Sequence, residues 1–116
     1  MIYYARPYSY NPKEATDRYA IEAQRLYNIT GHFVICTIPL SCYKMESSDK
    51  IEEEVFRLAQ SMIEQCTIFI YKGDSAGVTF EKRVAMKSDK PIFEYDHFIE
   101  NILEEDGGCR GFGNGL

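Results

Sequence analysis

One carboxylate in this chain sits in a pattern that would make it chemically useful. The strand-like run Thr67–Tyr71 is followed by a helical pattern in which Val78, Glu81 and Ala85 recur at i, i+3 and i+7, so they share one face. Because this spacing turns Val78 and Ala85 towards the sheet, we expect Glu81 to be buried. An ionised carboxylate is strongly unfavourable there without a partner, so Glu81 is a candidate catalytic group. A rotation of the helix by a third of a turn would instead leave Glu81 in solvent.

The turn that precedes this helix is typical of an anion site. The backbone N–H groups between Asp74 and Gly77 would point at whatever lies before the helix. A helix N-terminus binds phosphate or carboxylate through such N–H groups and through the macrodipole. We therefore predict that Ser75, Ala76 and Gly77 bind an anionic group of a ligand.

A second group of polar and aromatic residues follows the first predicted strand. Arg6 and Ser9 lie near the start of the next helix, where they would help to bind an anion. Four tyrosines crowd the same edge: Tyr3, Tyr4, Tyr8 and Tyr10. Aromatic faces stack on a nucleobase or sugar, and a tyrosine hydroxyl can hydrogen-bond a carboxylate. The alternatives are that Tyr3 and Tyr4 are simply good strand formers and that Arg6 is an ordinary surface arginine.

Alternating strands and helices must position these groups. The predicted strands cover residues 2–5, 33–38, 67–71 and 91–95, and the predicted helices cover 11–27, a segment beginning at 49, 77–87 and 97–105. The first helix has a strong start signal, with Asn11 as N-cap and Pro12 at the first helical position. The continuous apolar run Phe33–Ile38 favours a strand covered on both faces.

This alternation with short loops predicts an α/β fold with a parallel sheet and helices on both faces. We expect a small flavodoxin-like (Rossmann-like) three-layer sandwich of four to five strands in the order 2-1-3-4. Residues 1–105 would form the single domain and 106–116 a glycine-rich tail. Ligands of such sheets bind beyond the carboxyl ends of the strands where the order switches. The loops 4–11 and 71–81 should therefore converge.

Composition excludes several kinds of partner. The chain has 116 residues, a net charge of −5 and no cluster of Lys and Arg, which argues against a nucleic-acid polymer but not against a single nucleotide. No apolar run approaches the roughly 18 residues of a membrane span, and no signal peptide is evident, so we expect no membrane partner. Four cysteines without metal-ligand spacing predict a reduced, cytoplasmic protein.

Established cofactor and metal motifs are missing from the sequence. The two histidines, His32 and His97, lie at the edges of predicted elements, so a histidine-based triad or metal site is not expected. Neither a glycine-rich dinucleotide fingerprint nor a Gly-Lys-Ser/Thr phosphate loop occurs. We therefore predict no cofactor and no metal.

Two stretches resemble a known enzyme family, the nucleoside 2-deoxyribosyltransferases. Ile2–Tyr8 (IYYARPY) is similar to the opening strand of that family. Ser75–Glu81 (SAGVTFE), followed by Lys90–Ile92 (KPI), is similar to its Ser-x-Gly-x-x-x-Glu helix and the strand after it. The likeness is closest to the branch of 2′-deoxynucleoside 5′-phosphate N-hydrolases and spans residues 2 to about 95.

The resemblance implies roles for several residues. Glu81 would attack the anomeric carbon of the sugar or guide water to it, and Tyr3 would orient Glu81. An oxocarbenium-like centre is indeed favoured by an aligned carboxylate. Ser75 and Gly77 would hold the 5′-end of the nucleotide, phosphate included. Members of the family are typically homodimers or larger assemblies whose subunits complete each other's sites, so we expect a homodimer in which Asn114 of the tail is a candidate contributor.

Two departures from the family pattern bear on activity. The family usually has an aspartate at the start of the third strand, where this chain has Cys66 and Thr67. Asp74 in the adjacent loop would replace that carboxylate in binding or protonating the base, or else the catalytic set is incomplete. Arg6 stands where glycine is usual, so it would narrow the pocket or supply a phosphate ligand.

Three functions are consistent with these residues. The first is an enzyme that cleaves or transfers the N-glycosidic bond of a (deoxy)nucleoside or its 5′-monophosphate, with Glu81 essential. The second is a non-catalytic module that binds a nucleotide on the same scaffold, which the missing aspartate favours. The third is a small interaction domain without a ligand, whose strand-end cleft is filled by its own tyrosines.

Overall fold

Strands and helices alternate along the whole described chain, which a computed structural model covers over residues 1–7, 12–36 and 49–105. In chain order the elements are β1 (Ile2–Ala5), α1 (Pro12–Thr30), β2 (Val34–Ile35), α2 (Asp49–Gln65), β3 (Ile68–Tyr71), α3 (Ala76–Lys87), β4 (Ile92–Glu94) and α4 (Tyr95–Glu105). The strands form a four-stranded, all-parallel sheet in the order β2-β1-β3-β4, which confirms the predicted fold class and the order 2-1-3-4.

The register brings the carboxyl ends of the two central strands level with each other. Ile2 of β1 lies opposite Ile68 of β3, and Ala5 lies opposite Tyr71. The Lys72 N–H donates to the Ala5 carbonyl at 3.0 Å, which extends this pairing just past the end of β3. The loops after β1 and β3 therefore leave the same edge of the sheet side by side.

The sheet is the middle layer of three. Because side chains alternate along a strand, β1 supplies side chains to both faces. One face packs against α1 and α4 through the core residues Ile2, Tyr4, Leu26, Ile70, Tyr95, Phe98, Ile99 and Ile102. The other packs against α2 and α3 through Tyr3, Ala5, Ala59, Ile63, Cys66, Phe69, Val78 and Ala85. The predicted three-layer sandwich is thus confirmed.

Local contacts move two helix boundaries from their predicted positions. The first helix was expected to end near Tyr27 but continues to Thr30, where Gly31 adopts a left-handed conformation (φ 76°) and its N–H donates to the Tyr27 carbonyl at 2.7 Å. The last helix begins at Tyr95 rather than His97, and β4 ends at Glu94. There the Glu94 carboxylate accepts from the His97 N–H at 3.0 Å and satisfies one donor of the first turn.

Strand β2 is less buried than the apolar run Phe33–Ile38 predicted. Phe33 precedes β2 and is 77% exposed, so the expectation of cover on both faces is wrong for this residue. Val34 and Ile35 are half-buried because β2 lies at the edge of the sheet. Residues 37–38 of the run fall outside the described residues, as do Asn11 and the tail at 106–116.

None of the helices in the described part of the chain is long and apolar enough to cross a membrane.

The assignment of the core can be tested by comparing a buried isoleucine with an exposed one. Ile63 on α2 is fully buried, whereas Ile21 on α1 is 71% exposed. We expect Ile63→Ala to lower the free energy of unfolding by about 2–5 kcal/mol, because it removes buried methyl groups and leaves a cavity. Ile21→Ala should change it by less than about 0.5 kcal/mol. Urea unfolding of both variants measures the difference, and equal stabilities would contradict this assignment of the core.

Candidate functional site

The sheet-facing side of α3 buries a carboxylate, as the helical spacing predicted. Val78, Glu81 and Ala85 are the buried residues of this helix, and Glu81 is 8% exposed. The Tyr3 hydroxyl donates a hydrogen bond to Glu81 Oε2. Tyr3 is itself fully buried, and its ring stacks on that of Phe69 with 5.7 Å between centroids and 7° between planes. The two residues that the resemblance pairs are therefore in contact.

This contact determines what Glu81 can do. A hydrogen bond donated to a carboxylate favours the ionised form, whereas burial favours the neutral form. Tyr3 thus counteracts part of the desolvation of Glu81 and fixes the orientation of its oxygens. A carboxylate that is oriented, shielded from bulk water and still slightly exposed is suited to act as a nucleophile or to position a water molecule.

The start of α3 offers backbone donors next to this carboxylate. Ser75 is the N-cap in an extended conformation (φ −169°, ψ 168°), and its Oγ accepts from the Val78 N–H at 3.1 Å. The N–H groups of Ala76 and Gly77 precede the point at which helical geometry supplies a carbonyl partner. Ser75 therefore organises the helix start, while the next two N–H groups are suited to an anionic ligand.

Gly77 and Glu81 are one turn apart on the same side of α3, because residues at i and i+4 are neighbours on a helix. Helical side chains also lean towards the N-terminus, so Glu81 leans towards the helix start. The predicted anion site and the predicted catalytic carboxylate consequently lie on one face of one helix.

The two loops at the carboxyl edge of the sheet touch each other, as the strand order predicted. Gly73 has a left-handed backbone (φ 87°), and a Cβ at this position would lie 2.8 Å from Pro7 Cγ. Arg6 Nη1 donates to the Lys72 carbonyl at 3.1 Å. The described parts of the two loops are therefore packed tightly, and only glycine fits this crossing point without strain.

Arg6 is part of a second polar cluster, on the α1 side of the sheet. Its Nε lies 3.0 Å from Glu22 Oε1, and the two side chains are only 10% and 12% exposed. The guanidinium carbon lies 4.5 Å from the centroid of the Tyr19 ring. The Tyr19 hydroxyl donates to the Pro7 carbonyl at 2.7 Å. The role of Arg6 as a phosphate ligand stays a prediction.

Tyr4 completes this cluster from the central strand. Its hydroxyl donates to Glu22 Oε1 at 2.8 Å, and the residue is fully buried. Burial raises the pKa of Tyr4 well above its ordinary value, and the hydrogen bond to Glu22 raises it further. Burial likewise raises the pKa of Tyr19 and of Tyr95. Tyr4 and Tyr19 therefore remain protonated and act as structural hydrogen-bond donors, to Glu22 and to the Pro7 carbonyl.

Glu22 was not predicted as a site residue, although its helical spacing could have identified it. Tyr19, Glu22 and Leu26 follow the same i, i+3, i+7 spacing as Val78, Glu81 and Ala85. Tyr19 and Leu26 are buried, so the spacing places Glu22 on the inner side of α1. The same rule that identified Glu81 would have identified this second carboxylate.

The remaining predicted site residues are placed as follows. Asp74 is exposed in the loop between Gly73 and Ser75, and its proposed role in protonating the base stays a prediction. Thr67, at the position of the family's usual aspartate, is exposed at the opposite end of β3 from this loop. Tyr8, Ser9 and Asn114 fall outside the described residues. Within the described ranges, no three His, Cys, Asp or Glu side chains are grouped so as to hold a metal ion.

A groove lies beside the start of α3, and no sequence motif predicted it. Its volume is about 410 Å³, and it is lined by Glu53, Phe56, Arg57, Gln60, Ala76, Gly77 and Phe80. The rings of Phe56 and Phe80 meet edge to face with 5.0 Å between centroids. The predicted anion donors of α3 thus border a surface with exposed aromatic rings.

The crossing of the two loops can be tested with a pair of glycines. Gly73→Ala should lower the free energy of unfolding by about 1–3 kcal/mol, because alanine is strained at positive φ and would collide with Pro7. Gly77→Ala is the control, since its Cβ would meet only Ser75 Oγ, at 3.8 Å. That variant should be as stable as the wild type or up to about 1 kcal/mol more stable. Urea unfolding decides, and a Gly73→Ala protein as stable as Gly77→Ala would refute the tight crossing.

The buried phenols predict a loss of stability in alkali. Unfolded Tyr4 ionises near its ordinary pKa of 10.0, whereas the folded protein retains the proton because the folded pKa is raised. The stabilisation is fully present below pH 10 and is lost as the pH rises above it, by up to about 1.4 kcal/mol per pH unit for one group. Tyr4→Phe should therefore show a shallower loss in urea titrations between pH 9.5 and about 11.5. Tyr27→Phe, at an exposed residue, is the control for the loss of a phenol hydroxyl, and identical slopes for the two variants would disprove the assignment.

Comparison with known proteins does not assign the chain to a family. No protein-family model matches it, and a search of curated proteins finds no significant relative. The likeness of Ile2–Tyr8 and Ser75–Glu81 to nucleoside 2-deoxyribosyltransferases is thus a likeness of motifs, and the activity that it implies is a proposal.

Proposed function

We propose that this protein cleaves or transfers the N-glycosidic bond of a (deoxy)nucleoside or nucleoside 5′-monophosphate, with Glu81 acting at the anomeric carbon. One observation carries the proposal. Glu81 is buried, is held by the Tyr3 hydroxyl and lies one turn from the start of α3. This is the pairing that the sequence motifs lead one to expect of an N-glycosidase or deoxyribosyltransferase.

The chemistry requires only groups that this chain can supply. The C1′–N bond breaks with its electron pair passing to the base, which takes up a proton. A Glu81 oxygen forms the new bond to C1′ as positive charge develops on the sugar, or a water oxygen forms it and the proton of that water passes to the Glu81 carboxylate. If Glu81 bonds directly, water or a second base then displaces it. Asp74 is the proposed source of the proton on the leaving base.

The start of α3 would bind the 5′-end of the substrate. The N–H groups of Ala76 and Gly77 suit a phosphate, and Ser75 holds that turn through its bond to the Val78 N–H. Gly77 has no side chain, so the backbone is open to close approach. Tyr8 and Ser9, which follow β1 in the sequence, are further candidates for substrate contacts.

The setting of the reaction is also proposed. A cytoplasmic location suits a nucleotide substrate, and the buried Cys66 is a free thiol. A homodimer or higher homo-oligomer is proposed by analogy with the family that the motifs resemble. The net charge of −5 favours a small nucleotide over a nucleic-acid polymer as the partner.

A second candidate function is binding of a nucleotide without reaction. It is favoured by Thr67, which is exposed and stands where the resembled family has an aspartate. Without that carboxylate the base lacks one of its usual partners. In this case Glu81 and Tyr3 would contribute to the shape and polarity of a binding pocket.

The release of free base tests the proposal directly. The protein is incubated with a panel of nucleosides and 5′-monophosphates, and free base is measured by chromatography. We expect release by the wild type and a loss of at least about 100-fold in Glu81→Gln, because the oriented carboxylate is gone. Tyr3→Phe should lower the rate while it keeps the fold, since it removes only the donor to Glu81.

Glu64→Gln is the matched control, because Glu64 is exposed on α2 and the same charge is removed. Its activity should equal that of the wild type. Undiminished release by Glu81→Gln would refute the proposed chemistry. No release by the wild type, together with a rise in melting temperature with one nucleotide, would establish the binding function instead.

A further inference from the structure

Arg6 has more directed contacts than a surface arginine needs. Its guanidinium forms an ion pair with Glu22, whose Oε1 lies 3.0 Å from Nε without the geometry of a hydrogen bond. It donates to the Lys72 carbonyl at 3.1 Å through Nη1 and lies over the Tyr19 ring. A planar guanidinium can donate a hydrogen bond and stack on a ring at the same time, whereas an ammonium group cannot. Arg6 therefore joins α1 to the loop that follows β3.

That loop leads directly into the start of α3. Lys72 is held on both sides, because its carbonyl accepts from Arg6 while its Nζ lies 3.2 Å from Asp96 of α4. Gly73 then packs against Pro7, whose carbonyl accepts from the Tyr19 hydroxyl. Only Asp74 separates this crossing point from Ser75, the N-cap of α3. A continuous series of contacts thus runs from α1 to the turn that presents the Ala76 and Gly77 N–H groups.

We propose that Arg6 is a positioning residue, which holds the β3–α3 loop so that the start of α3 can bind a phosphate group. This inference rests on the proposed function for the identity of the anion. It assigns to Arg6 a role that acts through Lys72 and Gly73, without direct contact with phosphate. Glu22 contributes to the same positioning role, because its ion pair with Arg6 holds the guanidinium on the α1 side.

The two possible roles of Arg6 predict opposite effects of a change at Glu22. If Arg6 were a phosphate ligand, Glu22→Gln would release it from its ion pair and strengthen phosphate binding. If Arg6 positions the loop, Glu22→Gln and Arg6→Lys should both weaken binding. Glutamine keeps the shape of Glu22, and lysine keeps the charge of Arg6, so neither change removes much buried volume.

The experiment titrates inorganic phosphate into the protein and follows the backbone amide NMR signals of Ala76 and Gly77. We expect both variants to weaken phosphate binding roughly tenfold, as the loss of a hydrogen bond to a charged group would. The phosphate affinity of the double variant should fall by less than the product of the two single effects, because both substitutions disrupt the same Arg6–Glu22 contact. Arg83→Lys, at an exposed position on α3, should bind phosphate like the wild type.

Amide hydrogen exchange provides a readout that needs no ligand. The Lys72 N–H donates to the Ala5 carbonyl within the braced loop, whereas the Thr67 N–H donates to the Met1 carbonyl at the far end of β3. We expect Arg6→Lys and Glu22→Gln to accelerate exchange at Lys72 roughly tenfold and to leave Thr67 unchanged. Such a local effect would not come from a general loss of stability.

Each outcome decides the inference. Stronger phosphate binding in Glu22→Gln would make Arg6 a direct ligand and overturn the positioning role. Unchanged exchange at Lys72 in both variants would also overturn it. If phosphate does not shift the wild-type signals of Ala76 and Gly77, the proposed phosphate site fails, and the positioning role for that site fails with it. Release of base by the wild type remains a separate test of the glycosidic chemistry.

Discussion

Strand β1 supplies hydroxyl donors to two carboxylates, one on each face of the sheet: Glu81, which is buried, and Glu22, which is half-buried. Tyr3 and Tyr4 are neighbours in β1, and their side chains point in opposite directions because strand residues alternate. One hydroxyl donates to Glu81 and the other to Glu22. A shift of the strand by one residue would bring Ala5 or Ile2 to one of the two tyrosine positions, so one of the carboxylates would lose its donor. The register of β1 is therefore specified by polar contacts as well as by apolar packing.

Each face of the sheet has a hydrogen bond from a tyrosine of β1 to a glutamate of a helix, but the two pairs have different surroundings. On the α1 side, Glu22 is neutralised by Arg6, and the cluster ties the loop after β1 to the loop after β3. On the α3 side, the carboxylate is next to a helix start that can accept an anion. The first arrangement stabilises the carboxyl edge of the sheet, and the second is the better candidate for chemistry. Because the Arg6–Glu22 cluster stabilises the carboxyl edge of the sheet from the α1 side, the α3 side of that edge can serve a ligand.

Sequence periodicity was sufficient for the layers, the strand order and the burial of Glu81, because these follow from local spacing and from the few topologies open to alternating elements. Helix ends were less predictable, since Gly31 and Glu94 act through individual backbone conformations and hydrogen bonds. The exposure of Phe33 depends on the edge position of β2, which a run of apolar residues does not encode. The contacts of Arg6 join three segments distant in sequence, so no spacing rule could have assigned them.

The central place of β1 has a consequence for how the protein assembles. Its Ile2 pairs with Val34 on one side and Ile68 on the other, so the first strand of the chain receives its inner neighbour only after more than half of the sequence is available. A parallel partner cannot be supplied by a hairpin and needs a crossover. Helices α1 and α2 can form from local contacts before then, but the hydrogen bond from Tyr3 to Glu81 requires α3. The contact on which the proposed chemistry depends thus joins the first strand to a glutamate in the last third of the sequence, and only β4 and α4 follow the helix that carries it.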